Sequence, residues 1–122
     1  MGRSPAVHVK RAYEPPSSDD GVRILVDRLW PRRLTKGGAA VDLWLKDIAP
    51  SLPLRRWFNR DPARWTGFKR RYAAELDTKK AAIAALAGAA RRGRVTLLFG
   101  ARDVRHNTAV VLQAYLTRHL AR

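Results

Sequence analysis

The chain has 122 residues, which bounds it to one domain, because chains divide into separate cores only well beyond this length. A hydrophobic fraction of 46% beside a charged fraction of 29% is ordinary for a globular protein and excludes wholesale disorder. Twenty-five Lys and Arg against ten Asp and Glu give a formal net charge of +15, which favours an anionic partner, and the absence of cysteine excludes disulfides, thiolate metal sites and a catalytic thiol.

Residues 1–6 precede any patterned segment and are expected to be a flexible N-terminal tail. Val7 to Arg11 alternates apolar and polar residues as a half-buried edge strand does, and Glu14 to Gly21 (EPPSSDDG) is loop chemistry. Val22 to Val26 (VRILV) and Val95 to Phe99 (VTLLF) are short, β-prone runs that read as central parallel strands. The first ends in Asp27-Arg28, the second in Gly100-Ala101-Arg102-Asp103. Gly37-Gly38 falls in a Lys-bearing loop and matches neither a P-loop nor a dinucleotide fingerprint.

Short helices are expected between the first central strand and residue 60. Ser51 reads as the N-cap of a helix over LPLRRWF. Asp61-Pro62 is a helix start, followed by Trp65, Phe68, Tyr72 and Leu76 at spacings of three and four. Thr78 to Arg92 predicts a second helix stopped by Gly93, and Asn107 to Leu120 a last one with a wide apolar face. Parallel strands require right-handed crossovers that cover a face of the sheet. The fold class is therefore α/β, a small single-domain sandwich with a short, mainly parallel sheet covered by helices.

No apolar run approaches the roughly 18 to 20 residues of a membrane span. Residues 1–21, interrupted by Arg3, Lys10, Arg11, Glu14, Pro15 and Pro16, lack the core of a secretory signal. A cytoplasmic protein is expected.

Four segments hold nearly all the unusual side chains: VDRLWPR ending at Arg32, WLKDIAPS from Trp44 to Ser51, LRRWF from Leu54 to Phe58, and ARD at 101–103 followed by His106-Asn107. At these motifs, and over almost the whole chain from about Val7 to Leu120, the sequence resembles the YeaO-like family, domain of unknown function 488. The resemblance implies an α/β fold and no defined activity. Two positions depart from the usual family pattern: Arg33 stands where glycine is usual, and Arg60 where histidine is usual before the Asp-Pro. Both add positive charge.

In open parallel sheets, ligands sit beyond the carboxyl ends of the strands. There Asp27 and Asp103 form a candidate carboxylate pair, one of them a general base, unless each pairs with Arg28 or Arg102 or caps its own loop. His106 is a candidate for moving a proton, with Asn107 as N-cap of the last helix at an end that favours anions. Arg28, Arg32, Arg55 and Arg102 suit a bidentate clamp on phosphate or carboxylate, against the plainer reading of surface arginines in a chain with nineteen of them, a number a GC-rich genome also produces. Trp30, Lys46 and Ser51 complete the candidate binding set, Trp30 and Trp44 as a pocket wall or stacking surface, whereas Trp57 and Trp65 read as core. With His8, His106 and His119 and no cysteine, a zinc site lacks ligands, and no cofactor is indicated.

Two functions are therefore expected in order. The first is an enzyme or ligand binder holding a phosphate-bearing substrate, a nucleotide or a nucleic-acid end, at the strand ends. The second is a non-catalytic basic nucleic-acid-binding protein, for which Arg55-Arg56-Arg60-Arg64 and Lys69-Arg70-Arg71 supply basic faces. A scaffold without a small ligand leaves the paired Asp and Arg unexplained.

Overall fold

The computed structural model describes residues 7–121, so the tail expected over residues 1–6 lies outside the described residues. Four strands, β1 (Val7–Arg11), β2 (Val22–Leu25), β3 (Leu43–Trp44) and β4 (Val95–Phe99), form one sheet in the order β1-β4-β2-β3. Every pairing is parallel, with Val7 opposite Val95 and Ile24 opposite Leu97. As expected, the VRILV and VTLLF runs are the central strands and Val7–Arg11 is an edge. β4 is buried along its whole length, which is why it reads as an apolar run broken only by Thr96, whose hydroxyl donates to the Asp20 carbonyl at 2.7 Å.

Strand side chains alternate between the two faces. Val7, Val9, Ile24, Val26, Val95, Leu97 and Phe99 face the main core, built with α2 (Leu52–Phe58), α3 (Trp65–Asp77), α4 (Lys80–Arg92) and α5 (Thr108–Leu120). Ala12, Leu25 and Leu98 face the other way, under Trp30, Leu34, Val41 and Trp44. Helical cover is thus concentrated on one face. The second face is closed by loops and by the four-residue α1 (Lys36–Ala39).

Several boundaries differ from the sequence reading. Asp61-Pro62 opens a 3-10 turn over Pro62–Arg64, capped by Asp61, and the α-helix proper starts at Trp65. The next helix begins at Lys80 rather than Thr78. Gly37-Gly38 lies inside α1, whose N-cap Thr35 accepts from Gly38 N–H at 3.1 Å. The two-residue β3 was not foreseen.

The second face is organised by buried charge. Asp20 and Arg23 are 7% and 3% exposed, and Arg23 Nη1 donates to Asp20 Oδ2 at 2.6 Å. Lys10 Nζ donates to both Asp20 oxygens at 3.1 Å. The rest of the guanidinium reaches the Ala39 and Ala40 carbonyls, at 2.8 to 3.2 Å, and so holds α1 against the sheet. The loop itself turns at Gly21, whose φ of 63° and distance of 2.0 Å from a would-be Cβ to the Arg94 carbonyl oxygen leave room for glycine alone.

Burial pushes the Asp20 carboxyl up, but the Ser17 backbone N–H, Lys10 and Arg23 outweigh it and hold the group below the usual carboxylate range. A depressed folded-state pKa contributes stability that is present above the unfolded value and lost as pH falls through the folded one. Asp20→Asn strands two buried or half-buried cations, and we expect a loss of about 3 to 5 kcal/mol at pH 7. Thermal unfolding from pH 7 to 3 is the measurement. The gap between wild type and variant should narrow below about pH 4, and a gap that stays constant would refute the assignment.

Candidate functional site

The carboxyl ends of β2 and β4 meet through a side chain. Asp27 follows β2, and its Oδ2 accepts from Gly100 N–H, just past β4, at 2.8 Å. The approach is close: a Cβ on Gly100 would lie 3.2 Å from that oxygen and 3.1 Å from Pro31 Cβ, so a larger residue there would have to push its neighbours back by a few tenths of an ångström. Asp27 is half-buried, and its main-chain carbonyl accepts from Trp44 Nε1 at 2.7 Å. Burial raises its carboxyl pKa, only partly countered by the Gly100 N–H and the Arg55 guanidinium.

Asp103 is engaged in its own loop. Its Oδ1 accepts from the backbone N–H groups of Arg105 and His106 at 2.9 and 3.0 Å, and its Oδ2 lies 2.8 Å from His106 Nδ1. These bonds hold its pKa below the usual range, the Arg105 N–H first among them. His106 also meets Trp65 edge-on, with ring centroids 5.0 Å apart. Asn107 is buried, donates to the Asp103 carbonyl and caps α5 by accepting from Val110 N–H at 3.0 Å. The two aspartates thus shift in opposite directions, and neither figures among the groups acting on the other.

Ser51 caps α2 through Leu54 N–H, and its hydroxyl donates to Glu75 Oε2 at 2.6 Å. Glu75 Oε1 also accepts from Ser51 N–H at 2.8 Å. The Asp103–His106 pair is therefore a carboxylate–imidazole dyad with no hydroxyl on its imidazole among the described residues. Trp30 donates Nε1 to the Leu34 carbonyl at 2.7 Å and packs edge-on against Trp44 at 5.5 Å. Lys46 lies over the Trp44 ring at 4.5 Å.

The arginines are bound less completely. Arg28 Nη2 reaches the Pro50 carbonyl only at 3.5 Å, and its Nε is buried without an acceptor. Arg32, Arg55 and Arg102 are exposed, and their side chains make no hydrogen bond or ion pair among the described residues. No group of three His, Asp or Glu among those residues is placed to hold a metal ion.

Four participants escaped the sequence reading. Arg11 at the end of β1 donates to the Ala101 carbonyl at 3.0 Å and the Gly100 carbonyl at 3.4 Å. Tyr72, Glu75 and Lys79 reach from the helical layer to the Asp47–Ser51 segment, with Tyr72 Oη on the Ile48 carbonyl at 2.7 Å and Lys79 Nζ on those of Asp47 and Ala49 at 2.6 and 3.0 Å. Their spacing of three and four residues is the available signal, since it aligns them along one side of the chain.

Asp27→Asn preserves an acceptor for Gly100 and removes the charge that burial disfavours. A raised folded-state pKa means this group's contribution to stability is fully present below the unfolded pKa and lost as pH rises through the folded one. The variant should therefore melt at or above wild type at pH 7, and the difference should vanish toward pH 4. A large drop in melting temperature at pH 7 would show that the charge is required.

The chain matches, over residues 6–122, a family model described as the inactive DUF488-N3 subclade. It is 40% identical over 110 residues to the uncharacterized protein YeaO of Escherichia coli K12, covering 90% of this chain and 96% of that protein. It is 41% identical over 116 residues to uncharacterized proteins of Mycobacterium bovis and Mycobacterium tuberculosis, covering 95% of this chain and 98% of theirs. No solved structure matches it. With a strand-end architecture built from the VDRLWPR, WLKDIAPS and ARD motifs, and a family match across nearly the entire chain, the protein belongs to the YeaO-like DUF488 family.

Proposed function

We propose that the protein is a non-catalytic binder of a phosphate-bearing ligand, a nucleotide or a nucleic-acid end, held at the carboxyl edge of the sheet by Arg28, Arg32, Arg55 and Arg102. One contrast carries this reading. The carboxylates, hydroxyl and indole N–H groups at this edge are engaged in internal hydrogen bonds, whereas the Arg32, Arg55 and Arg102 side chains are not, and Arg28, bonded only at 3.5 Å to the Pro50 carbonyl, keeps a buried N–H without an acceptor. An unpaired buried donor costs about 1 to 3 kcal/mol, which a rearrangement of Arg28 onto a ligand oxygen would recover. Guanidinium forks suit phosphate oxygens, and Lys46 on the Trp44 ring adds a nearby charge.

The catalytic half of the sequence expectation receives less support. Asp27 holds Gly100, Asp103 holds the turn before α5, and Ser51 is bonded to Glu75 rather than to a histidine. The description of the matching subclade as inactive agrees with binding without turnover.

Calorimetric titration with adenosine triphosphate and with a 5′-phosphorylated dinucleotide, at about 0.15 M salt, tests the proposal. Arg32→Ala and Arg102→Ala change exposed side chains without internal partners, and each should weaken binding about tenfold. Asp103→Asn should leave affinity within about twofold, after correction for any unfolded fraction. Wild-type affinity in both arginine variants would overturn the site. Phosphate release or other conversion of the ligand by wild type, abolished in Asp103→Asn, would overturn the non-catalytic assignment.

A further inference from the structure

A second set of cations lies on the α2–α3 corner, beginning at Arg56 beside Arg55 of the strand-end set. Residues 56–71 contain six cations, Arg56, Arg60, Arg64, Lys69, Arg70 and Arg71, and one carboxylate, Asp61. The rest of the chain holds nineteen cations to nine carboxylates, about two to one, so the corner is enriched beyond the general composition. All six cations are exposed. Asp61 compensates little, because it caps the following turn through Ala63 N–H at 3.0 Å and approaches Arg64 only at 3.8 Å.

The fold brings separate parts of this segment together on Trp57. The Arg71 guanidinium lies 4.0 Å from the Trp57 ring centroid and that of Arg64 lies 5.2 Å from it, while Arg64 also donates to the Trp57 carbonyl. Gly67 makes this packing possible, since a Cβ there would sit 2.7 Å from the edge of the Trp57 ring. A guanidinium stacked on an aromatic face keeps its N–H edge directed outward and loses less side-chain freedom when an anion arrives. The turn between the two helices is held in an unusual conformation, with Asn59 and Arg60 at φ 46° and 55°. The left-handed region costs an ordinary side chain free energy that glycine avoids.

We infer that this corner binds the phosphate backbone of duplex nucleic acid. A lipid surface fits less well, because none of the exposed large hydrophobic side chains among the described residues lies within 56–71, leaving nothing to insert. A base-stacking single strand also fits less well. Trp57 carries Arg64 and Arg71, and Trp65 packs against Phe58, Phe68 and His106 with Lys69 at 5.8 Å, so neither indole of this corner offers the open stacking platform that single strands use. What remains is a set of outward cations without base readout, which is the equipment of sequence-independent backbone binding.

Fluorescence anisotropy with a labelled random-sequence duplex, titrated at several salt concentrations, tests this. The triple variant Arg56→Ala, Arg60→Gly, Arg70→Ala removes three cations whose side chains have no partner among the described residues. The slope of log affinity against log salt should become shallower by about 2.7, the sum for three lost phosphate contacts. A control triple, Arg91→Ala, Arg92→Ala, Arg118→Ala, removes the same charge elsewhere and should change the slope by less than about one unit. Arg60→Gly alone should raise the melting temperature while weakening duplex binding, which separates the charge effect from loss of fold. Titration with adenosine triphosphate should be unaltered by the corner triple, so that failure here and failure of the strand-end reading are distinguishable. Equal slope changes in both triples, tighter binding of a single strand than of a duplex of equal length, binding only to phosphatidylserine vesicles, or no duplex binding at all would each overturn the inference.

Discussion

The passage from β3 into the helical layer runs through Ile48, Ala49 and Pro50, all buried, and a buried irregular segment must find donors for its carbonyls. The donors are side chains. Tyr72 Oη serves the Ile48 carbonyl, Lys79 Nζ those of Asp47 and Ala49, and Arg28 the one on Pro50, while Glu75 takes both the N–H and the hydroxyl of Ser51. Each buried polar group left without a partner would cost about 1 to 3 kcal/mol, so the strap is worth several such terms at once. It also fixes where α2 starts relative to the end of β2, and thereby where Arg55 stands relative to Asp27. The strap tolerates unusual ionisation: burial and the neighbouring Arg28 push Lys79 down, with Glu75 and Asp47 partly opposing them, and burial first, then Glu75 and Asp27, pushes the Tyr72 hydroxyl up, keeping it a donor.

The same logic gives the motif residues with a chemical appearance structural partners. A short sheet with little helix on its second face leaves many loop backbone groups to satisfy, and polar side chains at the strand ends do that work. Asp27 ties β2 to the chain leaving β4, Trp44 ties β3 to Asp27, and Asp103 with Asn107 shapes the entry to α5. Once those bonds are made, a nucleophile paired with a base is absent from the edge among the described residues. The guanidinium groups of Arg32, Arg55 and Arg102 are left without internal hydrogen bonds among the described residues.

The strongly patterned elements were legible in the sequence. β1 and β4 appear at the expected residues, Asn107 and Ser51 are the caps their chemistry announced, and Trp65, Phe68, Tyr72 and Leu76 line one side of α3. β3 was illegible because two residues carry no period, and its pairing with β2 depends on tertiary contact. α1 was illegible because KGGA has poor intrinsic helix propensity and is held by Thr35 and by the buried guanidinium of Arg23. Arg23 itself reads as the polar member of an alternating strand, which gives no sign that it would be 3% exposed. At the site, the residue types were legible but their aim was not. Whether an aspartate after a strand turns across to a neighbouring strand, as Asp27 does, or back into its own loop, as Asp103 does, is decided by loop geometry that no local pattern records.

The charge balance has a structural counterpart that the bare figure of +15 understates. Eight of the ten carboxylates accept hydrogen bonds from within the molecule: Glu14, Asp20, Asp27, Asp42, Asp61, Glu75, Asp77 and Asp103. Several of those donors are uncharged: backbone N–H groups bond Glu14, Asp27, Asp42 and Asp61, and hydroxyls bond Glu75 and Asp77. The lysine or arginine ion pairs among the described residues involve only Asp20 and Asp61, the former turned inward toward Lys10 and Arg23. Carboxylates are thereby committed to backbone and buried cations, and most exposed arginines are left without a local counter-charge. In water such a surface attracts mobile anions at every pH where carboxylates are ionised, and a polyphosphate that displaces them gains the entropy of their release. The positive balance of the surface, on which the proposed phosphate binding rests, thus follows from a scarcity of acidic residues that the fold's own hydrogen bonds deepen.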